Sequence, residues 1–198
     1  MTESALAVEL QAQVNKQTAT ELTLAYELRN STGSRIFVFD HLLYFDAKGA
    51  TRRADTGAYV FQDGGGVARV VRGFIAPPMF MSVARRPPIV ASAINPGWAS
   101  AGVIKLALPL AEANAYFPPQ VCDPASARPI TRLRVQIGWV EEREGVKTGP
   151  FEIDHKSLVR LIGGWGSPLQ RTAQIDVLVT GIRLCPYVGQ FDRPQLQH

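Results

Sequence analysis

The chain has 198 residues, 46% hydrophobic and 19% charged, with a net charge of +4, the balance of one folded globular domain rather than of a disordered chain. No apolar run reaches the ~18 residues that a membrane-spanning helix requires, and two cysteines are too few for a disulfide-dense miniprotein. The 17 glycines and 14 prolines announce frequent turns and point to a β-rich domain.

Val8, Leu10, Ala12 and Val14 alternate with Glu9, Gln11, Gln13 and Asn15, the period of a strand with one wet face. Leu22, Leu24, Tyr26 and Leu28 repeat that pattern. Asn30–Ser34 follows as a turn whose side chains can bond their own backbone. Ile36–Phe39 then returns as a β-branched and aromatic run, so 20–39 reads as a hairpin. Leu42–Phe45 is a short strand ended by Asp46–Gly49. Ala58–Gln62 and Val67–Ile75 flank the turn Asp63-Gly-Gly-Gly66.

Prolines 77, 78, 87, 88 and 96 make 76–96 a long extended crossover or an edge segment, since proline cannot donate to a ladder. Ile104, Leu106, Leu108 and Leu110 form a strand ended at Pro109. Leu133, Val135, Ile137 and Trp139 give the strongest alternation in the chain, which places Trp139 in the core. Ile175, Val177 and Val179 form the last strand. The apolar phase then shifts to Ile182 and Leu184, with Gly181 where a β-bulge would restore register.

Two segments could hold a short helix. Asp154 is a candidate N-cap for a turn running to Gly163, with a strand over Val159–Ile162 as the alternative. Pro109–Tyr116 could hold one turn. Together these features predict an all-β fold, an immunoglobulin-like antiparallel β-sandwich with a β-barrel as the alternative. The single domain would span 1–185, and the polar residues 186–198 would form a loosely held tail.

The segment Leu22–Phe39 resembles the second and third strands of bacterial immunoglobulin-like modules, including the intracellular proteinase-inhibitor type. Ile36-Phe-Val-Phe-Asp40, Leu106-Ala-Leu-Pro-Leu110 and Asn114-Ala-Tyr-Phe117 together resemble a group of uncharacterised bacterial β-sandwich proteins. The resemblance covers about the first 120 residues and implies a fold without an activity.

The charge is unevenly spread. Between residues 51 and 86 stand Arg52, Arg53, Arg69, Arg72, Arg85 and Arg86 against Asp55 and Asp63, and the rest of the chain is balanced. Guanidinium groups gathered on one face could clamp carboxylates or phosphates by forked hydrogen bonds. Spread over a sheet, they would only solvate it. Aromatic residues do not interleave with them as a nucleic-acid stacking surface requires, so an acidic protein partner fits better than RNA or DNA.

Catalytic signals are sparse. Asp55-Thr-Gly-Ala58 matches the aspartic-protease string, but Arg52 and Arg53 precede it where that family places an apolar strand, so it reads as a turn. Asp40-His41 and Asp154-His155 place neighbouring side chains on opposite faces of a strand, so each pair could supply at most one metal ligand. Neither a metal nor another cofactor is expected. Asn30-Ser-Thr32 fits a glycosylation sequon, but turn chemistry accounts for it. Without a signal peptide in this sequence, Cys122 and Cys185 are expected as free thiols in the cytoplasm, with an extracytoplasmic location if a leader was trimmed away. The reading is a non-catalytic binding module. The alternatives are an assembly subunit that self-associates through sheet edges and a hydrolase with an unrecognised site near Asp40, His41 or Asp55.

Overall fold

A computed structural model describes residues 8–45, 48, 50–54, 57–75, 89–113, 122–143, 145–162 and 169–185, and all its regular elements are strands. In chain order they are β1 (Val8–Gln17), β2 (Glu21–Asn30), β3 (Ile36–Val38), β4 (Leu42–Phe45), β5 (Thr51–Ala54), β6 (Tyr59–Gly64) and β7 (Val67–Arg72). The second half supplies β8 (Val90–Ile94), β9 (Ala99–Ala107), β10 (Leu110–Ala111), β11 (Arg128–Glu141), β12 (Lys147–Ile153), β13 (Lys156–Ile162) and β14 (Arg171–Cys185).

One sheet has the order β1-β2-β9. The other is built on β11, which is flanked by β14 along one side and by β7 and then β3 along the other. From β3 this sheet continues through β8 and β13 to β12, while β6 pairs with β7 and β10 with the end of β14. The period-two pattern sends Leu22, Leu24, Tyr26 and Leu28 from the first sheet toward Val70, Leu133, Val135, Ile137 and Val177 from the second, in one shared core. The architecture is that of a β-sandwich, and the sheets do not close into a barrel. Trp139 is buried in this core, as its alternation predicted.

The run 20–39 is not a hairpin. β2 pairs with β1 and β9, whereas β3 pairs with β11 and β8, so the turn at 31–35 carries the chain from one sheet to the other. β8 and β9 make the same crossing beside it. Asn30, fully buried, ties the two arches together. Its Nδ2 donates to the carbonyls of Ser34 (2.9 Å) and Ile94 (3.0 Å), and its Oδ1 accepts from N (3.0 Å) and Oγ1 (2.6 Å) of Thr32. Its backbone N–H donates to Trp98 O (2.9 Å), and its carbonyl accepts from Gly97 N (2.8 Å). A side chain so enclosed is not a glycan acceptor in the folded chain.

The Pro-rich crossover needs a second correction. Between Pro88 and Pro96 no proline interrupts the chain, and that window forms β8, a strand with partners on both sides. A third lies at 153–162, where no helix forms and the alternative, a strand over Val159–Ile162, is present as part of β13. Asp154 and His155, at φ 50° and 59°, make the tight turn of the β12–β13 hairpin, and Phe151 and Ile153 pack with Leu158, Leu43 and Val90. The bulge at Gly181 is present. Pairing passes from Arg132↔Leu178 to Ile130↔Ile182, and Gly181 takes φ 71°. The proposed tail, the crossover from 76 to 88, Asn114–Phe117 and Gly163 lie outside the described residues.

Cys122 and Cys185 are joined in a disulfide, which corrects the expectation of free thiols. The two lie 63 positions apart in sequence, yet their Cα atoms are 5.6 Å apart, within the bridging range. The end of β14 rests against the 122–127 turn, where Arg183 Nε donates to Ala127 O at 3.0 Å.

Two outcomes follow from this packing. Trp139→Ala should lower the unfolding free energy by about 3–5 kcal/mol through lost burial and a residual cavity. Replacing both cysteines by serine should lower it by about 4 kcal/mol, the chain-entropy value for a loop of this length. Urea denaturation of each variant beside the parent measures both, and midpoints equal to the parent's would refute them.

Candidate functional site

The six arginines do not share one face. On β7 the alternation turns Ala68, Val70 and Arg72 inward and leaves Val67, Arg69 and Val71 on the outer surface. Arg72 is therefore a core residue, 1% exposed, and not part of an anion-binding surface. Arg52 is exposed on β5, opposite the exposed Tyr44, in the separate two-stranded sheet β4–β5. Arg53 is placed by its backbone alone, opposite Leu43. Arg85 and Arg86 lie outside the described residues, as do Asp55 and Thr56 of the protease-like string.

Arg72 lies between the sheets. Its Nε donates to Gly57 O (2.9 Å), its Nη1 to Tyr26 Oη (2.9 Å) and Asp40 O (3.1 Å), and its Nη2 to Val103 O (2.8 Å) on β9. Tyr26 reaches this point because Gly102 stands opposite it in the β2–β9 pairing. A Cβ on Gly102 would lie 2.3 Å from Tyr26 Oη, so any side chain there would displace the ring. Burial pushes the Tyr26 phenol above its ordinary value of 10.0, the Arg72 guanidinium opposes that rise, and the charge of Asp40 adds to it. The folded chain thus holds a proton that the unfolded chain releases first. That contribution to stability is complete below the unfolded value and is lost as pH rises through the folded one.

Asp40 and His41 border this cluster. His41 Nε2 lies 3.6 Å from Asp40 Oδ1 and 3.3 Å from Ser92 Oγ. A serine-nucleophile relay needs the hydroxyl and the carboxylate on opposite nitrogens of the imidazole. Here both approach the same nitrogen, so the three side chains are not arranged as a relay. Among the described residues no group of three or more histidine, cysteine or acidic side chains could hold a metal ion.

Arg69 belongs to a different assembly, which local sequence reading missed. The outer face of β6–β7–β11–β14 carries cross-strand rows, and the register Arg69↔Arg134↔Asp176 puts two arginines side by side. Asp63 sits between them at 3.0 Å from Arg69 Nε and 3.8 Å from Arg134 Nη1. It is carried there by the register shift between Gln62 and Gly64, where Gly64 takes φ 81°. On the far side Arg134 Nε and Arg132 Nη1 both donate to Asp176, at 2.9 and 3.2 Å. The hydrogen bond from Arg134 holds the Asp176 carboxyl below its ordinary value. Arg69 also lies over the Phe61 ring, 5.2 Å from its centroid. Three guanidiniums face two carboxylates on this face. The only sequence signal for it was the alternation of Arg132 and Arg134 on one strand, which cannot show that β7 lies alongside.

At the end of the sandwich near the disulfide, Gln17, Leu108, Pro109, Pro124 and Arg183 line an open groove of about 510 Å³. No protein-family model matches the chain, and neither a curated protein nor a solved structure is significantly similar to it.

Arg72→Met keeps the apolar stem but removes every donor, leaving buried carbonyls and the Tyr26 hydroxyl without partners. It should cost about 3–5 kcal/mol. Chemical denaturation measures the loss, and a loss below about 1 kcal/mol would contradict a bridging role.

Proposed function

We propose that the protein is a non-catalytic binding module, an immunoglobulin-like sandwich that recognises an acidic protein partner through the outer face of β6–β7–β11–β14. One observation carries this reading: Arg69, Arg132 and Arg134 stand in adjacent rows on a sheet face, where among the described residues Asp63 and Asp176 are the carboxylates paired with them. Asp176 accepts hydrogen bonds from Arg132 and Arg134, Asp63 lies within ion-pair distance of Arg69 and Arg134, and Phe61 backs Arg69. An incoming carboxylate meets donors already oriented, so little side-chain entropy is lost on contact. The net excess is one positive charge per face, which suits modest, salt-sensitive binding. The Cys122–Cys185 disulfide supports a compartment that oxidises thiols.

The test uses labelled poly-L-glutamate as the acidic probe, followed by fluorescence anisotropy. Binding should weaken steeply between low and high salt. It should fall at least tenfold in the triple variant Arg69→Gln, Arg132→Gln, Arg134→Gln, with an unchanged circular-dichroism spectrum and a stability loss of about 1–2 kcal/mol, because the Arg69–Asp63 pair is half-buried while Arg132 is exposed. The control triple variant Lys16→Gln, Lys105→Gln, Lys147→Gln removes exposed charges elsewhere and should bind like the parent. Equal loss in both triple variants would reduce the arginine face to a solvated surface.

A further inference from the structure

We propose that the acidic partner also presents an apolar side chain, so that the outer face reads a carboxylate and a leucine-like group carried together on an extended segment. The inference rests on the acidic-partner reading and supplies the second half of the recognition chemistry.

The strand registers set two parallel rows on this face. One runs Arg69, Arg134, Asp176, and the next, two residues along each strand, runs Val67, Arg132, Leu178. The first row is charged throughout. The second places a single arginine between two apolar side chains.

An arginine beside a leucine ordinarily covers it with its own stem. Arg132 is engaged elsewhere. It faces Leu178 directly across the ladder, yet its Nη1 donates to Asp176 Oδ2 in the neighbouring row, at 3.2 Å. Leu178 is left 78% exposed, the most open of the large hydrophobic side chains among the described residues. A lone surface leucine needs no explanation by itself. What singles this one out is its place beside hydrogen-bond donors that still have capacity.

The Arg132 side chain is 45% exposed, and Nη1 is its one nitrogen with a hydrogen-bond partner among the described residues. Its Nε–Nη2 edge can grip a carboxylate by two parallel bonds. Directly opposed residues such as Arg132 and Leu178 have Cβ atoms about 5 Å apart. In an extended ligand, side chains two residues apart share a face at about 7 Å, and the long stems of arginine and glutamate take up the difference. A glutamate held by Arg132 thus brings an apolar residue two positions away onto Leu178. Poly-glutamate lacks that group and reports the charged half alone.

The test compares two labelled peptides of equal charge, Glu-Ser-Glu-Ser-Leu-Ser-Glu-Ser-Glu and the same peptide with serine at its centre. Fluorescence anisotropy with the intact, disulfide-bonded chain measures each affinity. The leucine peptide should bind about tenfold more tightly, from partial burial of two apolar side chains. Its advantage should persist in salt, which screens charges and leaves apolar contact intact. Leu178→Ser should bring the leucine peptide down to the serine peptide's affinity, and binding of the serine peptide and of poly-L-glutamate should stay at the parent's level. Leu178→Met should keep the advantage. The position is exposed, so melting of both variants should match the parent.

Equal affinities for the two peptides overturn the proposal, as does a Leu178→Ser variant that weakens both peptides alike. If poly-glutamate binds while the peptides do not differ, the acidic-partner reading stands and this one falls. If neither poly-glutamate nor either peptide binds, the acidic-partner reading falls and takes this one with it.

Discussion

A guanidinium lies between the two sheets, and much of the surrounding geometry accommodates it. The Arg72 side chain carries several N–H donors into the core, and they must be occupied there or the burial costs several kcal/mol. The acceptors come from four places in the chain: the carbonyls of Gly57, Asp40 and Val103, and the Tyr26 hydroxyl. The Tyr26 ring can reach Arg72 only across a residue without a side chain, which is the constraint that Gly102 meets. The Val103 contact ties β7 of one sheet to β9 of the other. One residue thus joins the sheets.

The same strand divides the arginine-rich segment. Because Arg72 must point inward with Ala68 and Val70, Arg69 points outward by the two-residue period of a strand. Outside, its neighbour across the ladder is Arg134, a like charge that would repel it on a bare sheet. Asp63, turned back by the β6–β7 bulge, lies between the two charges, and Asp176, on the far strand, pairs with Arg134 from the other side. The face is therefore an alternating network close to neutrality, which holds its groups in fixed orientation while keeping one net positive charge.

At the opposite end from the disulfide, Asn30 fills every hydrogen-bonding role at the point where two chain crossings meet. Buried polar networks specify a unique arrangement when every member is satisfied. Here the side-chain amide links β2, the turn after it and the end of β8, and the backbone N–H of the same residue reaches the Trp98 carbonyl. The disulfide performs the complementary task at the other end by fastening β14 to the 122–127 turn.

Local alternation was enough to place most strands and the inward-facing core, including Trp139 and the bulge at Gly181, because side-chain direction along a strand has a fixed period. It could also exclude a helix-built fold and a membrane-spanning helix. It could not say which strands would be neighbours. The turn at 31–35 looked like a hairpin because the same residues suit a hairpin and an arch, and only the packing of two hydrophobic faces selects between them. Asp154 looked like a helix cap because an aspartate that tolerates a left-handed backbone suits a tight turn equally well. The meeting of Cys122 with Cys185, the burial of Arg72 and the recruitment of Arg132 and Arg134 beside Arg69 join residues far apart in sequence. Such proximities are set by the order of strands in the sheets, which depends on the burial of the whole core and is written in no single segment.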